Sequence, residues 1–194
     1  MTSILAIAGS ARRGGNSDTI LDAAVEVLEG RGAEVERIIP RQLMDEITPC
    51  RSCWGCWETG QCVVQDHMQE LYLRFSEVDH ILVCSPVYFT SIPGHLKVLI
   101  DRFQCFWVRT FRMGEGPEPR RRGMFLSVGA MERDQFYKCS RQVITSWYAC
   151  LNMKCAVSRF FPGLDDKDDI HSRPDYIEKA RQAADHFMDL VREE

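Results

Sequence analysis

Residues 3–32, SILAIAGSARRGGNSDTILDAAVEVLEGRG, carry the pattern that decides the fold. SILAIAG (3–9) is a short apolar run closed by glycine, as expected of a buried strand. TILDAAVEVLEGRG (19–32) sets Ile20, Leu21, Ala24, Val25 and Leu28 at helical spacing, with Gly30 and Gly32 as stop signals. SARRGGNSD joins the two as a loop. Strand, glycine-bearing loop and amphipathic helix make the first unit of an α/β sheet.

The same alternation continues outward. EVERII (34–39) reads as a second strand ended by Pro40, and DHMQELYLRFSEVD (66–79) as a helix with Met68, Leu71, Tyr72 and Phe75 on one face. HILVCS (80–85) is a third strand, SPVYFTSIPG (85–94) a loop and HLKVLIDRFQCFW (95–107) a helix. RTFRMGEGPEPRRRG (109–123) is the most linker-like stretch. MFLSVG (124–129) and KCAVSRFF (154–161) are further strands; ERDQFYKCSRQVITSWYACL (132–151) and DYIEKARQAADHFMDLVREE (175–194) are helices. No repeat or domain break interrupts residues 1–194, which read as one domain with a cysteine-rich loop at 49–66. Right-handed crossovers then give a doubly wound, five-stranded parallel sheet with helices on both faces. Five strands suit the flavodoxin-like order 2-1-3-4-5 better than a six-stranded dinucleotide fold.

Bulk properties narrow the function. A chain of 194 residues, 45% hydrophobic and 27% charged, buries a full core without cross-links. Net charge of −4 argues against a nucleic-acid surface. No apolar run approaches the roughly 18 residues of a membrane span. The arginines follow the first apolar stretch, the wrong order for a signal peptide, so a cytoplasmic protein without a membrane partner is expected. In that reducing compartment, nine cysteines read as thiols or metal ligands rather than disulfides.

Ligands of such sheets sit beyond the carboxyl ends of the strands, at the switch point. The loop GSARRGGNSDTI (9–20) joins the first strand to the first helix there. Gly9, Gly14 and Gly15 permit a tight turn, and Ser10, Asn16, Ser17 and Thr19 supply short polar groups, with Arg12 as a cation. Asn16 is expected to cap the helix, whose N–H groups favour an anion. Neither G-x-G-x-x-G nor G-K-[ST] is present, which leaves a compact site for one terminal phosphate, as on FMN. Asp18 is expected to turn away from it. The plain alternative is an ordinary surface loop. Beyond the third strand, Tyr88 and Phe89 offer a platform for a flat ring, or a plug for the sheet end. After the fourth, Gly129 and Ala130 are small enough for a ligand to approach the backbone.

The loop PCRSCWGCWETGQCVVQD (49–66) spaces Cys50, Cys53, Cys56 and Cys62 as C-x2-C-x2-C-x5-C. Successive x2 gaps let three thiolates wrap one centre, and Gly60 eases the turn to the fourth, so one iron–sulfur cluster fits within this loop. Structural zinc usually takes two separated pairs, and a loop of buried thiols without metal is the remaining alternative. Trp54 and Trp57 suit either a water-excluding cover or an oligomer contact. Cys84, Cys105, Cys139, Cys150 and Cys155 read as structural, with an approach of Cys105 to the flavin region kept open.

On GSARRGGNS, PCRSCWGCWETGQCVVQDHMQ and SPVYFTSIPGHLKVLIDRF, the chain resembles the iron–sulfur flavoprotein family, a branch of the NADPH-dependent FMN reductase group. The resemblance implies a flavodoxin-like fold, one FMN and one 4Fe–4S cluster per subunit, and a homo-oligomer, dimer or tetramer, with sites at subunit contacts. It implies that Ser10, Arg12, Asn16, Ser17 and Thr19 hold the phosphate, that Pro86, Val87, Tyr88 and Phe89 hold the ring, and that Cys50, Cys53, Cys56 and Cys62 hold the cluster. Where relatives often carry two acidic residues after the cysteine loop, this chain has Asp66 and His67.

The expected function is an FMN-dependent oxidoreductase linking a one-electron carrier such as ferredoxin to a two-electron acceptor, with no side chain required as a catalytic base. One alternative is a cluster-free NAD(P)H-dependent FMN or quinone reductase, for which PRRRG (119–123) offers a 2′-phosphate or acidic-partner contact, or simply a solvated loop. A second is a non-enzymatic electron carrier or zinc-stabilised binding module. The run DDKDD (165–169) reads as a solvated loop.

Overall fold

The computed structural model describes residues 1–115 and 121–192. Five parallel strands, β1 Thr2–Ala8, β2 Ala33–Ile38, β3 His80–Pro86, β4 Arg121–Gly129 and β5 Met153–Pro162, form one sheet in the order 2-1-3-4-5. The helices are α1 Asn16–Gly30, α2 Met68–Glu77, α3 Gly94–Asp101, α4 Gln104–Trp107, α5 Gln135–Cys150 and α6 Pro174–Arg192. This is the flavodoxin-like architecture expected. No described helix is long and apolar enough to cross a membrane.

Strand side chains alternate between the two faces of a sheet, and this sheet is covered on both. Ile4, Ala6, Ala8, Leu82, Cys84, Met124 and Leu126 pack under α1 and α6. Leu5, Ile7, Ile81, Val83 and Phe125 pack under α2, α3 and α5. Hence the middles of β1 (4–8), β3 (81–84) and β4 (124–126) are apolar and buried, whereas the edge strands β2 and β5 carry exposed positions.

Three expectations change. The helix over 95–107 is broken: Arg102 and Phe103 close α3 with bonds to Leu99 O and Ile100 O, and α4 resumes at Gln104. After α4 the chain continues into a π-turn, Val108–Arg112, so the start of the linker-like stretch is helical. Its end is also ordered, because Arg121–Gly123 begin β4.

There the Arg121 guanidinium donates to Phe75 O at 2.6 Å, at the amino edge of the sheet. That edge is opposite the ligand loops. Pro119 and Arg120 lie outside the described residues. Gly123 permits a close approach: a Cβ there would sit 2.3 Å from the Tyr148 ring.

Candidate functional site

The residues expected to bind cofactors line two cavities. The first is a cleft of about 150 Å³ where the loops after β1, β3, β4 and β5 meet. Ser10, Arg12, Asn16 and Ser17 line it with Pro86, Val87, Tyr88, Gly129 and Ala130. At its root the Gly9 N–H donates to Cys84 O at 2.8 Å, and a Cβ on Gly9 would lie 2.8 Å from that of Ser85. Glycine is what lets the first loop leave β1 so close to β3.

Gly15, not Asn16, precedes α1, and no side chain caps the helix. The first-turn N–H groups therefore remain available at the cleft. Asn16 has a different task. Its Nδ2 donates to Asp166 O at 2.7 Å and its Oδ1 accepts from Ile170 N–H at 3.1 Å, tying α1 to the loop after β5. Arg12 donates to Asp165 O at 3.0 Å in the same seam. Asp18 turns onto the loop itself, accepting from Gly14 N–H at 2.8 Å.

Two predicted residues stand apart from this lining. The Thr19 hydroxyl points back to Gly15 O at 3.4 Å. Phe89 and Thr90 adopt positive φ, 48° and 62°, at the tip of a tight turn in which Tyr88 and Ser91 exchange backbone hydrogen bonds. The turn aims Phe89 fully into solvent and leaves Tyr88 against the cleft. Conversely, Leu164, Asp165 and Lys167 line the cleft, although their run reads as a solvated loop. Their position just past the carboxyl end of β5 is the signal that marks them.

These features suit FMN. An uncapped helix start, buried Ser10 and Ser17, and the cations Arg12 and Lys167 suit a phosphate dianion. Tyr88 and the small residues Gly129 and Ala130 provide a wall and an exposed backbone for a ring.

The second cavity, of about 310 Å³, is lined by Cys50, Cys53, Cys56 and Cys62, and shares no lining residue with the first. Ser52 and Trp54, on either side of Cys53, hold left-handed φ of 51° and 60°. Such conformations cost roughly 1–2 kcal/mol per residue, so surrounding contacts must hold the loop. Three arginines do so. Arg109 donates to Gly60 O at 2.7 Å, Arg112 lies 4.5 Å over the Trp57 ring, and Arg102 sits beneath the loop. Trp54 and Trp57 meet edge to face at 4.9 Å, with Trp54 exposed.

Arg102 is 2% exposed. Burial pushes the Asp66 carboxyl upward, but hydrogen bonds from Arg102 and from the Thr48 and Met68 N–H groups outweigh it and hold Asp66 below the usual carboxylate range. Burial raises the Cys56 thiol, and Cys62, Cys50 and Cys53 lie near enough to raise it further. Cys105 also lines this cavity rather than the first cleft, and burial raises its thiol.

Among the described residues, no three His, Cys, Asp or Glu side chains are placed to hold a metal ion. An iron–sulfur cluster asks for something different from a single ion, since its thiolates bind separate irons. Four thiols facing one cavity over a buried guanidinium fit an anionic centre of that kind.

The sequence model of the NADPH-dependent FMN reductase family matches residues 2–158. An iron-sulfur flavoprotein of Methanosarcina thermophila is 35% identical over 126 residues, 65% of this chain and 62% of the relative. One from Archaeoglobus fulgidus is 38% identical over 96 residues, 50% of this chain and 43% of the relative. The matched stretch is thus less than two thirds of either relative's length. In structure, a flavone reductase superposes with a TM-score of 0.71 at 20% identity, over 98% of this chain and 63% of its own. An NAD(P)H:quinone oxidoreductase from Methanothermobacter marburgensis gives 0.67 at 18% identity, over 94% and 93%. At such identities these superpositions establish the fold.

Proposed function

The chain belongs to the NADPH-dependent FMN reductase family, and from that premise we propose that it is an FMN-dependent oxidoreductase carrying a 4Fe–4S cluster. It would link a one-electron carrier protein such as ferredoxin to a two-electron acceptor. The observation that carries this reading is that Cys50, Cys53, Cys56 and Cys62 all line one cavity.

In this reading the cluster supplies single-electron exchange and the flavin collects electrons in pairs. The protein binds and orients. The first turn of α1, Ser10, Ser17 and Arg12 hold the phosphate, and Lys167 closes its outer side. Pro86–Tyr88 and Gly129–Ala130 seat the ring. Trp54 and Trp57 shield the thiolate loop from water, which tunes its potential. Exposed Phe89, Trp54 and Phe111 suit contacts with a second copy of the chain in a homo-oligomer. A reducing compartment, such as the cytoplasm, keeps the thiols available.

Anaerobic purification with iron, sulfide and FMN counted per chain tests this. About four irons with one FMN is the expected result. FMN without iron after reconstitution would favour the second reading, a cluster-free NAD(P)H-dependent reductase. That reading draws on a Bacillus subtilis relative, 28% identical, named a putative NAD(P)H-dependent FMN-containing oxidoreductase.

A further inference from the structure

The α3–α4 break places a cation where the cysteine loop needs one. Arg102 ends α3, and its side chain runs inward to line the thiol cavity. Its Nη1 donates to Thr48 O at 2.7 Å and to Asp66 Oδ2 at 2.5 Å. Its Nη2 donates to Asp66 Oδ1 at 3.0 Å and to Cys62 Sγ at 3.6 Å. The two-pronged pairing fixes the plane of the guanidinium, so the bond to sulfur is aimed rather than incidental.

Both partners of that contact are held from behind. Asp66 also accepts from the Thr48 and Met68 N–H groups, at 3.0 and 3.1 Å. The Arg102 carbonyl accepts from the Tyr72 hydroxyl at 2.7 Å. Gln69 Nε2 donates to Cys62 O at 3.2 Å and Val64 O at 2.6 Å, fixing the backbone that carries the sulfur. Burying a charged pair is costly unless hydrogen bonds complete it, and these bonds do.

We propose that Arg102, locked by Asp66, is a positioning residue for the Cys62 sulfur: it holds this fourth thiolate over the cavity and stabilises the electron-rich form of the centre bound there. The inference rests on the cluster reading above. Adding one electron makes the thiolate-bound centre more negative by one charge. A donor directed at one of its sulfurs favours that state, as hydrogen bonds to cluster sulfurs do generally. Cys50 and Cys53 are exposed, whereas Cys62 is partly buried and carries the contact to Arg102.

The test uses the full chain, purified anaerobically and reconstituted with iron and sulfide. Three quantities are read: FMN per chain, the rate of iron release to a chelator, and the one-electron midpoint of the visible chromophore. The informative variant is the double substitution Arg102→Met with Asp66→Asn, which leaves no buried charge without its partner. It is expected to keep FMN, to release iron roughly tenfold faster and to lower the midpoint by about 59 mV, a tenfold shift in a one-electron equilibrium. Arg102→Lys, keeping the charge without the fork, is expected to recover part of the midpoint but not the slow release.

Wild-type release and midpoint in the double variant would overturn the proposal. So would loss of its FMN, which would make Arg102 a fold determinant instead. Wild-type protein that binds FMN but no iron after reconstitution would overturn the cluster reading itself, and this inference with it.

Discussion

Asn16, at the cleft, and buried Ile170 are hydrogen-bonded, side-chain carbonyl to backbone N–H, at 3.1 Å. The contact joins the first turn of α1 to the loop after β5, and the Asn16 amide repeats the tie through Asp166 O. Replacing Asn16 by Ala strands a buried N–H, at about 1–3 kcal/mol, and loosens both loops. FMN affinity is expected to fall at least roughly tenfold, about 1.4 kcal/mol. Riboflavin, lacking the phosphate, should respond less. Fluorescence quenching titrations with the two ligands check this.

Cys53 lies between two left-handed residues and opens on the thiol cavity alone. Cys53→Ser is expected to abolish iron binding and to leave FMN at wild-type stoichiometry. Metal analysis and flavin absorbance on one anaerobic sample decide it. Loss of both together would contradict the separation of the two cavities.

Tyr148 crosses β4 at Gly123 and donates to Met124 O at 2.7 Å, where the β4–β5 register shifts. A methyl group at Gly123 meets the ring, and overpacking of this kind typically costs about 1–3 kcal/mol. Gly123→Ala is therefore expected to lower the denaturant midpoint at unchanged slope, in urea unfolding followed by far-ultraviolet circular dichroism.

His80 is buried at the start of β3. Burial, opposed by Asp79 and aided by the Arg121 and Arg122 cations, holds its pKa below the ordinary 6.5. The unfolded chain thus takes up a proton that the folded chain resists. Stability is complete above about pH 6.5 and declines as pH falls toward the lowered folded value, by at most about 1.4 kcal/mol per pH unit. His80→Gln should flatten that slope, measured by denaturant titration between about pH 7 and 5.

Much of the architecture is legible in the sequence because the sheet is covered on both faces. The middles of the central strands must then be apolar, and their order follows from alternation with helices. That the first loop lines the cleft is legible too, because its small polar residues follow the first strand directly. What escapes is set by distant partners. The Arg102 side chain at the α3–α4 break is paired with a carboxylate 36 positions earlier, which residue type alone does not reveal. Asn16 looks like a cap because Asn caps helices, yet its side chain is claimed by residues 166 and 170. Lys167 sits among four aspartates and looks solvated, until β5 delivers it to the cleft. Phe89 reads as a ring platform because turn handedness, which aims it outward, leaves little trace in residue type.

The cleft at the strand ends and the thiol cavity share no lining residue. The four cysteines could therefore be lost in a lineage without disturbing any residue that lines the cleft.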